Sequence, residues 1–292
     1  MFFTRIAPTP SGYIHAGNAV NFMLTYALAK HIGAKIELRI DDMDQNRTKK
    51  EYIDDIFAAL QKLEIEWDFG AKDTDDFLQN YSFSKKQERF FSKLNSIRKA
   101  NPNLFYTCKC PRDKSCNGGC AALKLKLEKN KTALKMHIKR GTIIALGGIS
   151  VDLTETMGDV TLWQKERFAS YQFASLFSDE ERRVNLIIRG FDLFNSSALQ
   201  LYMAKIFGFE NFLKATFVHH RLILDEKGGK LSKSKGSLHA VFVNEIFQKS
   251  AEIVGVKEFR AIDDKFKLLS CNDEISEYLN KHGVKFEQCI GG

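Results

Sequence analysis

Three short segments hold residue types that can do chemistry. Near the start, His15 and Gly17 follow a turn built from Pro8, Pro10, Ser11 and Gly12 and lead into an apolar-periodic stretch. A histidine and a glycine where a helix begins after a strand fit a phosphate site. The imidazole can donate, free N–H groups sit at the positive end of the helix dipole, and no side chain keeps a flat ligand away. Far along the chain, Lys230, Lys233 and Lys235 lie in the Gly/Ser-bounded run from Gly229 to Ser237. Ammonium groups on such a loop can neutralise the charge that develops when a triphosphate is displaced at its α-phosphorus. Between them, Cys108, Cys110, Cys116 and Cys120 place four thiols in one loop, matching a tetrahedral structural Zn²⁺ site. Taken singly, the first segment also reads as an ordinary turn, the second as a solvated basic loop and the third as a set of buried free thiols.

Groups so far apart in sequence need a scaffold that brings them together. Phe2 to Ala7 reads as a short buried strand, Gly17 to His31 as a helix and Lys35 to Ile40 as a second strand, a β-α-β unit. A further amphipathic helix is expected from Lys49 to Leu63, with Ile53, Ile56, Phe57 and Leu60 on one side, Thr48 as N-cap and Glu51 three residues on. Strand-helix alternation of this kind implies a parallel sheet. Phe69 to Leu104 reads as helical and charged. Ala133 to Ile138 and Thr142 to Ala145 read as short strands of an inserted subdomain, Val184 to Ile188 as a central strand and Ser196 to Phe207 as a helix. The expected organisation is the first half of a Rossmann-like α/β domain over 1–100 and an inserted zinc-bearing subdomain over 101–165. The second half with the lysine loop follows over 166–240, then a tail over 241–292 with short helices at Val241 to Val254 and Glu274 to His282.

Composition bounds the partners. With 292 residues and 44% hydrophobic content the chain can bury a sizeable core. Lys and Arg number 44 against 36 Asp and Glu, a net charge of +8, which fits either a polyanionic partner or a merely soluble surface. No apolar run reaches the roughly 18 residues a bilayer span needs. Met1 to Arg5 also lacks a signal-peptide layout, so a cytoplasmic protein without a membrane partner is expected, with a monomer as the default expectation. Four clustered cysteines in such a chain favour metal over disulfides.

Together and in this order, the two phosphate-type segments resemble the paired signature of class I aminoacyl-tRNA synthetases, His-Ile-Gly-His and Lys-Met-Ser-Lys-Ser. Here they read His15-Ala16-Gly17-Asn18 and Lys230-Leu231-Ser232-Lys233-Ser234. Arg5-Ile6-Ala7-Pro8-Thr9-Pro10-Ser11-Gly12 resembles the Arg-Phe-Ala-Pro-Ser-Pro-Thr-Gly opening of the glutamyl-tRNA synthetases, and Arg39-Ile40-Asp41-Asp42-Met43-Asp44 their Arg-Ile-Glu-Asp-Thr-Asp. Trp67-Asp68, Tyr171, Ile188-Arg189-Gly190 and Gln200-Leu201-Tyr202 extend the likeness. The resemblance implies activation of L-glutamate by ATP with Mg²⁺ on the β- and γ-phosphates. The catalytic set would be His15, Gly17, Asn18, Lys230 and Lys233, and ATP would touch Pro8, Ser11, His15, Gly17, Asn18 and Lys233. Arg5 and Arg189 would take the glutamate carboxylates, Asp41 the amino group, and Tyr171 would complete the pocket. Guanidinium forks suit carboxylates, although each Arg also fits a structural salt bridge. Three positions depart from the family pattern: Asn18 replaces its last histidine, Asp41 stands where Glu is usual, and Gln172 where Asn is common.

Only a short tail follows the lysine loop, which resembles the glutamyl-queuosine tRNA(Asp) synthetases, paralogues without the helical anticodon-reading domain. Their metal set is a Cys-x-Cys, a Tyr and a Cys four residues later, and Cys116 stands at the Tyr position. This resemblance implies glutamate activation without tRNA and transfer to queuosine in the anticodon loop of tRNA(Asp). The alternatives are a compact glutamyl-tRNA synthetase charging the 3′ end of tRNA(Glu), a small-molecule adenylate-forming ligase of the same fold, and a non-catalytic RNA binder.

Overall fold

The computed structural model describes residues 1–111, 116, 118–220 and 285–288. Lys230, Lys233 and the tail helices expected at 241–254 and 274–282 lie outside the described residues. The chain divides into two compact units. One comprises Met1–Ser82, Arg183–Phe194 and the chain from Lys214, and the other Phe83–Arg182 with Asn195–Leu213.

The first unit is a parallel α/β assembly. Strand β1 (Phe3–Ile6) pairs in parallel with β2 (Lys35–Leu38), which pairs in parallel with the two-residue β3 (Phe69–Gly70). Helix α1 (Ala16–Ile32) joins β1 to β2, and α2 (Lys50–Lys62) joins β2 to β3. Later in the chain β9 (Leu186–Gly190) pairs in parallel with β10 (Thr216–His220), and β11 (Lys285–Gln288) runs antiparallel on the far side of β10. Asn185 stitches the two sheets together. Its backbone N–H donates to the Phe3 carbonyl at 3.0 Å, and its side-chain oxygen accepts from the Phe3 N–H at 2.8 Å. The strands therefore progress outward in one direction from β1 through β2 to β3 and in the other from β9 to β10. The β1/β9 seam is thus the topological switch point, where open α/β sheets bind ligands. Helix α1 is buried on most of its surface, through Ala19, Val20, Phe22, Met23, Leu24, Leu28 and Ala29, and shares a core with Ile6, Ile36, Leu186, Ile188 and Val218.

Helix α2 buries the face read from its periodicity, Ile53, Ile56, Ala59 and Leu60. Its cap differs from expectation: the N-cap is Lys49, with no side-chain capping bond. Thr48 instead turns its hydroxyl back to the Asp44 carbonyl at 3.1 Å, because Arg47 and Thr48 already close a turn on that same carbonyl. The stretch 69–104, expected to be helical, is helical in broken pieces after a two-residue strand. After β3 come the short α3 (Thr74–Asp76), a π-helical turn at Phe77–Tyr81 and then α4 (Gln87–Ala100).

The second unit is built around a three-stranded antiparallel sheet in the order β4 (Phe105–Cys108), β5 (Ala133–Met136), β8 (Val160–Trp163). The hairpin β6 (Ile143–Leu146) and β7 (Ile149–Asp152) leads through the short α5 (Leu153–Thr156) into β8. Helices α4, α6 (Tyr171–Glu181), α7 (Phe194–Phe207) and α8 (Glu210–Leu213) are the remaining α-helices among the described residues. Phenylalanines form the core here. Phe90 stacks on Phe83 at 5.3 Å and meets Phe173 and Phe177 edge-on, and Phe177 stacks on Phe209 at 5.9 Å. Aromatic pairs of this kind stabilise by about 0.5–1.5 kcal/mol beyond the area they bury.

Candidate active site and metal centre

The start of α1 is a closed capping box. His15 is the N-cap, in extended conformation, and its Nδ1 accepts from the Gly17 N–H at 3.1 Å, while the Asn18 side-chain oxygen accepts from the His15 N–H at 3.3 Å. An imidazole that accepts at Nδ1 carries its proton on Nε2, so the outer nitrogen of His15 is a donor. Gly17 has a local reason as well as a ligand-facing one: a Cβ there would meet the His15 ring at 3.0 and 3.1 Å. No acidic residue occupies the first turn, so the positive end of the helix dipole is left available to an anion. The loop before the cap is held from a distance, since the Asp55 carboxylate of α2 accepts from the Ile14 N–H at 2.7 Å. In the sequence the signal for this anchor is an aspartate between Ile53 and Ile56, on the apolar side of α2.

The candidate glutamate residues of this unit cluster at the carboxyl ends of parallel strands. Arg5 is the third residue of β1 and Arg189 the fourth of β9, both buried. The Arg189 guanidinium lies over the Phe217 ring, 5.8 Å from its centroid, within cation–π reach. Asp41 lies just past β2. The backbone ladder continues there beyond the strand ends, with Arg39 N–H donating to Ile6 at 2.9 Å and Asp41 N–H to Pro8 at 2.8 Å. Both Asp41 oxygens accept from the Arg39 fork, at 2.7 and 3.1 Å, and both side chains are buried. Arg39 is therefore a positioning group that the spacing of the motif contains but did not single out. Its neighbour Asp42 accepts from Ser82 at 2.6 Å and from Gln45 at 3.0 Å. Asn21, one turn beyond Gly17, contacts His220 at the end of β10 at 3.0 Å. Pro8 is buried and Ser11 half-buried in the same turn.

Tyr171 begins α6 in the other unit and is half-buried, with Gln172 beside it donating to Ser196 at 3.0 Å.

The four cysteines converge. Cys108 ends β4, and its Sγ lies within 4.8 Å of those of Cys110, Cys116 and Cys120, with Cys110 and Cys120 at 3.6 Å. Tetrahedral zinc with Zn–S bonds of about 2.3 Å spaces its sulfurs about 3.8 Å apart, so the donor set fits in both chemistry and size. Burial pushes the Cys108 thiol up to about 12, while the Lys109 backbone N–H holds Cys120 down to about 7. Tyr106, two residues before Cys108 and so on the same strand face, packs against Cys108 and Cys120. This unit also holds a surplus of charge: residues 101–140 contain ten Lys or Arg against two Asp or Glu, which equals the net +8 of the whole chain. Among the described residues, no helix is long and apolar enough to cross a membrane.

Residues 1–114 match the catalytic domain of the class I tRNA synthetases for E and Q. A glutamate–tRNA ligase 1 of Paracoccus denitrificans is 31% identical over 257 residues, covering 82% of this chain and 56% of that protein. A glutamate–tRNA ligase of Natranaerobius thermophilus is 28% identical over 270 residues, covering 84% and 54%. The chain thus spans about half the length of the curated relatives it matches. The fold is similar to that of a glutamate tRNA ligase from Elizabethkingia meningosepticum, solved in complex with its amino acid, at a TM-score of 0.67 and 23% identity over 82% of this chain and 53% of that one. Class I synthetases are ligases that form aminoacyl-adenylates, and on these matches the chain carries a glutamate–tRNA ligase-like class I synthetase catalytic domain.

Proposed function

We propose that this protein activates L-glutamate with ATP and passes the glutamyl group to a hydroxyl of an RNA, the queuosine of tRNA(Asp). An oxygen of the α-carboxylate attacks the α-phosphorus, the bond to the bridging oxygen of pyrophosphate breaks, and glutamyl-adenylate remains. The hydroxyl of the RNA then attacks the activated carbonyl and releases AMP. The observation that carries this reading is the set Arg5, Asp41 and Arg189 on strand ends around the β1/β9 seam, beside the capped start of α1. His15 donates from Nε2 to the phosphates, and Arg5 and Arg189 hold the glutamate carboxylates by fork geometry. Asp41, fixed by Arg39, receives the amino group. Its side chain is one methylene shorter than the usual Glu, and a water can bridge the gap. Lys233, with Lys230, stabilises the charge of the five-coordinate phosphorus. Mg²⁺ bound with ATP screens its β- and γ-phosphates.

Zinc on Cys108, Cys110, Cys116 and Cys120 would brace the second unit, whose basic stretch over 101–140 suits phosphate contacts. The cysteine spacing supports the queuosine reading, and the glutamate–tRNA ligase relatives support a second one, transfer to the 3′ end of tRNA(Glu). ATP–pyrophosphate exchange with each of the twenty amino acids in the absence of tRNA tests the first step, and glutamate alone should support it. Charging of tRNA(Asp) with and without queuosine, against tRNA(Glu), separates the two acceptors. Charging of tRNA(Glu) alone would replace the queuosine reading.

A further inference from the structure

We infer that Asp159 is a positioning residue for the metal centre, acting through the Tyr106 hydroxyl on the Gly118 amide and so on the Cys116–Cys120 half of the thiol set. The inference rests on the four cysteines holding a metal.

The chain of contacts is continuous. Asp159 lies just before β8, and its side chain is 5% exposed. One carboxylate oxygen accepts from the Tyr106 hydroxyl at 2.7 Å. The other accepts from the Ile138 N–H at 2.9 Å and contacts His137 Nδ1 at 3.0 Å. The Tyr106 hydroxyl, its proton committed to Asp159, accepts from the Gly118 N–H at 3.3 Å. Gly118 stands midway between Cys116 and Cys120 in a left-handed conformation, φ +81°. Around it, the Gly119 N–H donates to the Cys116 carbonyl at 2.8 Å and the Cys120 N–H to the Cys116 sulfur at 3.2 Å. The turn that presents two of the four sulfurs is thus pinned from outside by one hydroxyl, whose direction a buried carboxylate sets.

This carboxylate serves the cluster more directly than it serves the sheet. The sheet edge needs only an acceptor for Ile138, which a neutral amide also supplies. A neutral amide has one acceptor oxygen, enough for Ile138 or for Tyr106, whereas the carboxylate accepts from both and leaves the hydroxyl oxygen to accept from Gly118. Groups that orient metal ligands in this way commonly change metal affinity by about 10- to 100-fold when removed.

The test measures Zn²⁺ affinity of the full chain by competition with a chromophoric chelator, together with the charge-transfer and d–d absorption of the Co²⁺-loaded protein. Asp159→Asn should weaken Zn²⁺ by about 10- to 100-fold and shift the Co²⁺ bands, with the secondary-structure signal kept. Tyr106→Phe, nearly isosteric, should do the same, and the double variant should be no weaker than the worse single one, since both cut one path. Wild-type affinity and spectrum in Asp159→Asn, or losses that simply add in the double variant, overturn the inference while leaving the four-cysteine centre standing. Wild-type protein that binds no Zn²⁺, or a Cys120→Ser variant that binds it as well as wild type, removes the metal reading and this inference with it.

Discussion

In the parallel-sheet unit, His15, Arg5, Asp41 and Arg189 stand on strand ends and one helix cap, and the bonds that shape the cap and Asp41 come from close in sequence: Gly17 and Asn18 for His15, Arg39 for Asp41. In the cysteine-bearing unit the chemical groups sit in a loop, and what holds them comes from far along the chain: Asp159 reaches Tyr106 across 53 residues and Lys165 donates to the Lys109 carbonyl across 56. Strand ends, a helix cap and short-range side-chain bonds such as Arg39 to Asp41 orient much of the first set. The second set is oriented by side chains and, on the proposed reading, by a bound ion, so its order depends on conditions that leave the first untouched.

The largest effects should come from breaking the main support of each unit. Arg39→Met leaves Asp41 buried without its guanidinium partner, which commonly costs about 3–5 kcal/mol. Phe90→Ala removes a ring packed against Phe83, Phe173 and Phe177 and should cost about 3–5 kcal/mol through the cavity it leaves. Denaturant midpoints should fall in both. Hydrogen exchange should quicken along β1 and β2 in the first variant and along α4 and α6 in the second. Quickening spread evenly over the whole chain in both variants would erase the distinction between the units.

Lys233→Ala should slow glutamate-dependent ATP–pyrophosphate exchange by about 100- to 1,000-fold, equivalent to about 3–4 kcal/mol, with little loss of glutamate binding, because its ammonium acts on charge present only in the transition state. Exchange at the wild-type rate would remove the lysine loop from the mechanism. A smaller effect should follow metal removal. A chelator, or Cys120→Ser, should lower transfer to RNA by about tenfold or more while exchange of glutamate and ATP is retained, since the groups that activate glutamate are proposed to be held without the ion. Equal loss of both steps would show that the two units are not separable in function.

The sequence was most legible where physics is local. The β-α-β start, the buried face of α2 and a strand near Val184 to Ile188, found at Leu186–Gly190, follow from periodicity and spacing, because a helix stripe or a strand run involves residues close in sequence. The convergence of four cysteines was legible for the same reason. What the sequence concealed was set by partners far away: Asp55 holding the loop before His15, Asn185 joining β9 to β1, and Asp159 behind Tyr106. Each is an ordinary polar residue whose role exists only after folding. The stretch 69–104 is helical as its charged spacing suggests, but that spacing does not show where the helix breaks, because it fits one helix, several short ones or a π-helical turn equally well.

The smallest expected effect turns on the cap of α2. Thr48 reads as the N-cap in sequence, with Glu51 three residues on, yet the helix starts one residue later with Lys49 in that place and no side-chain oxygen to accept from its first N–H groups. Lys49 contributes an exposed contact to Glu51 instead, a kind of pair worth little in water. Lys49→Asp should therefore supply the missing acceptor and a negative charge at the positive end of the dipole, raising stability by about 1 kcal/mol. Thr48→Ala removes only a hydroxyl bonded to Asp44 and should cost less than a true cap would. If Thr48→Ala cost the full capping energy and Lys49→Asp gained nothing, the helix would begin where the sequence placed it. Local spacing would then have read this unit correctly even at the point where the fold departs from it.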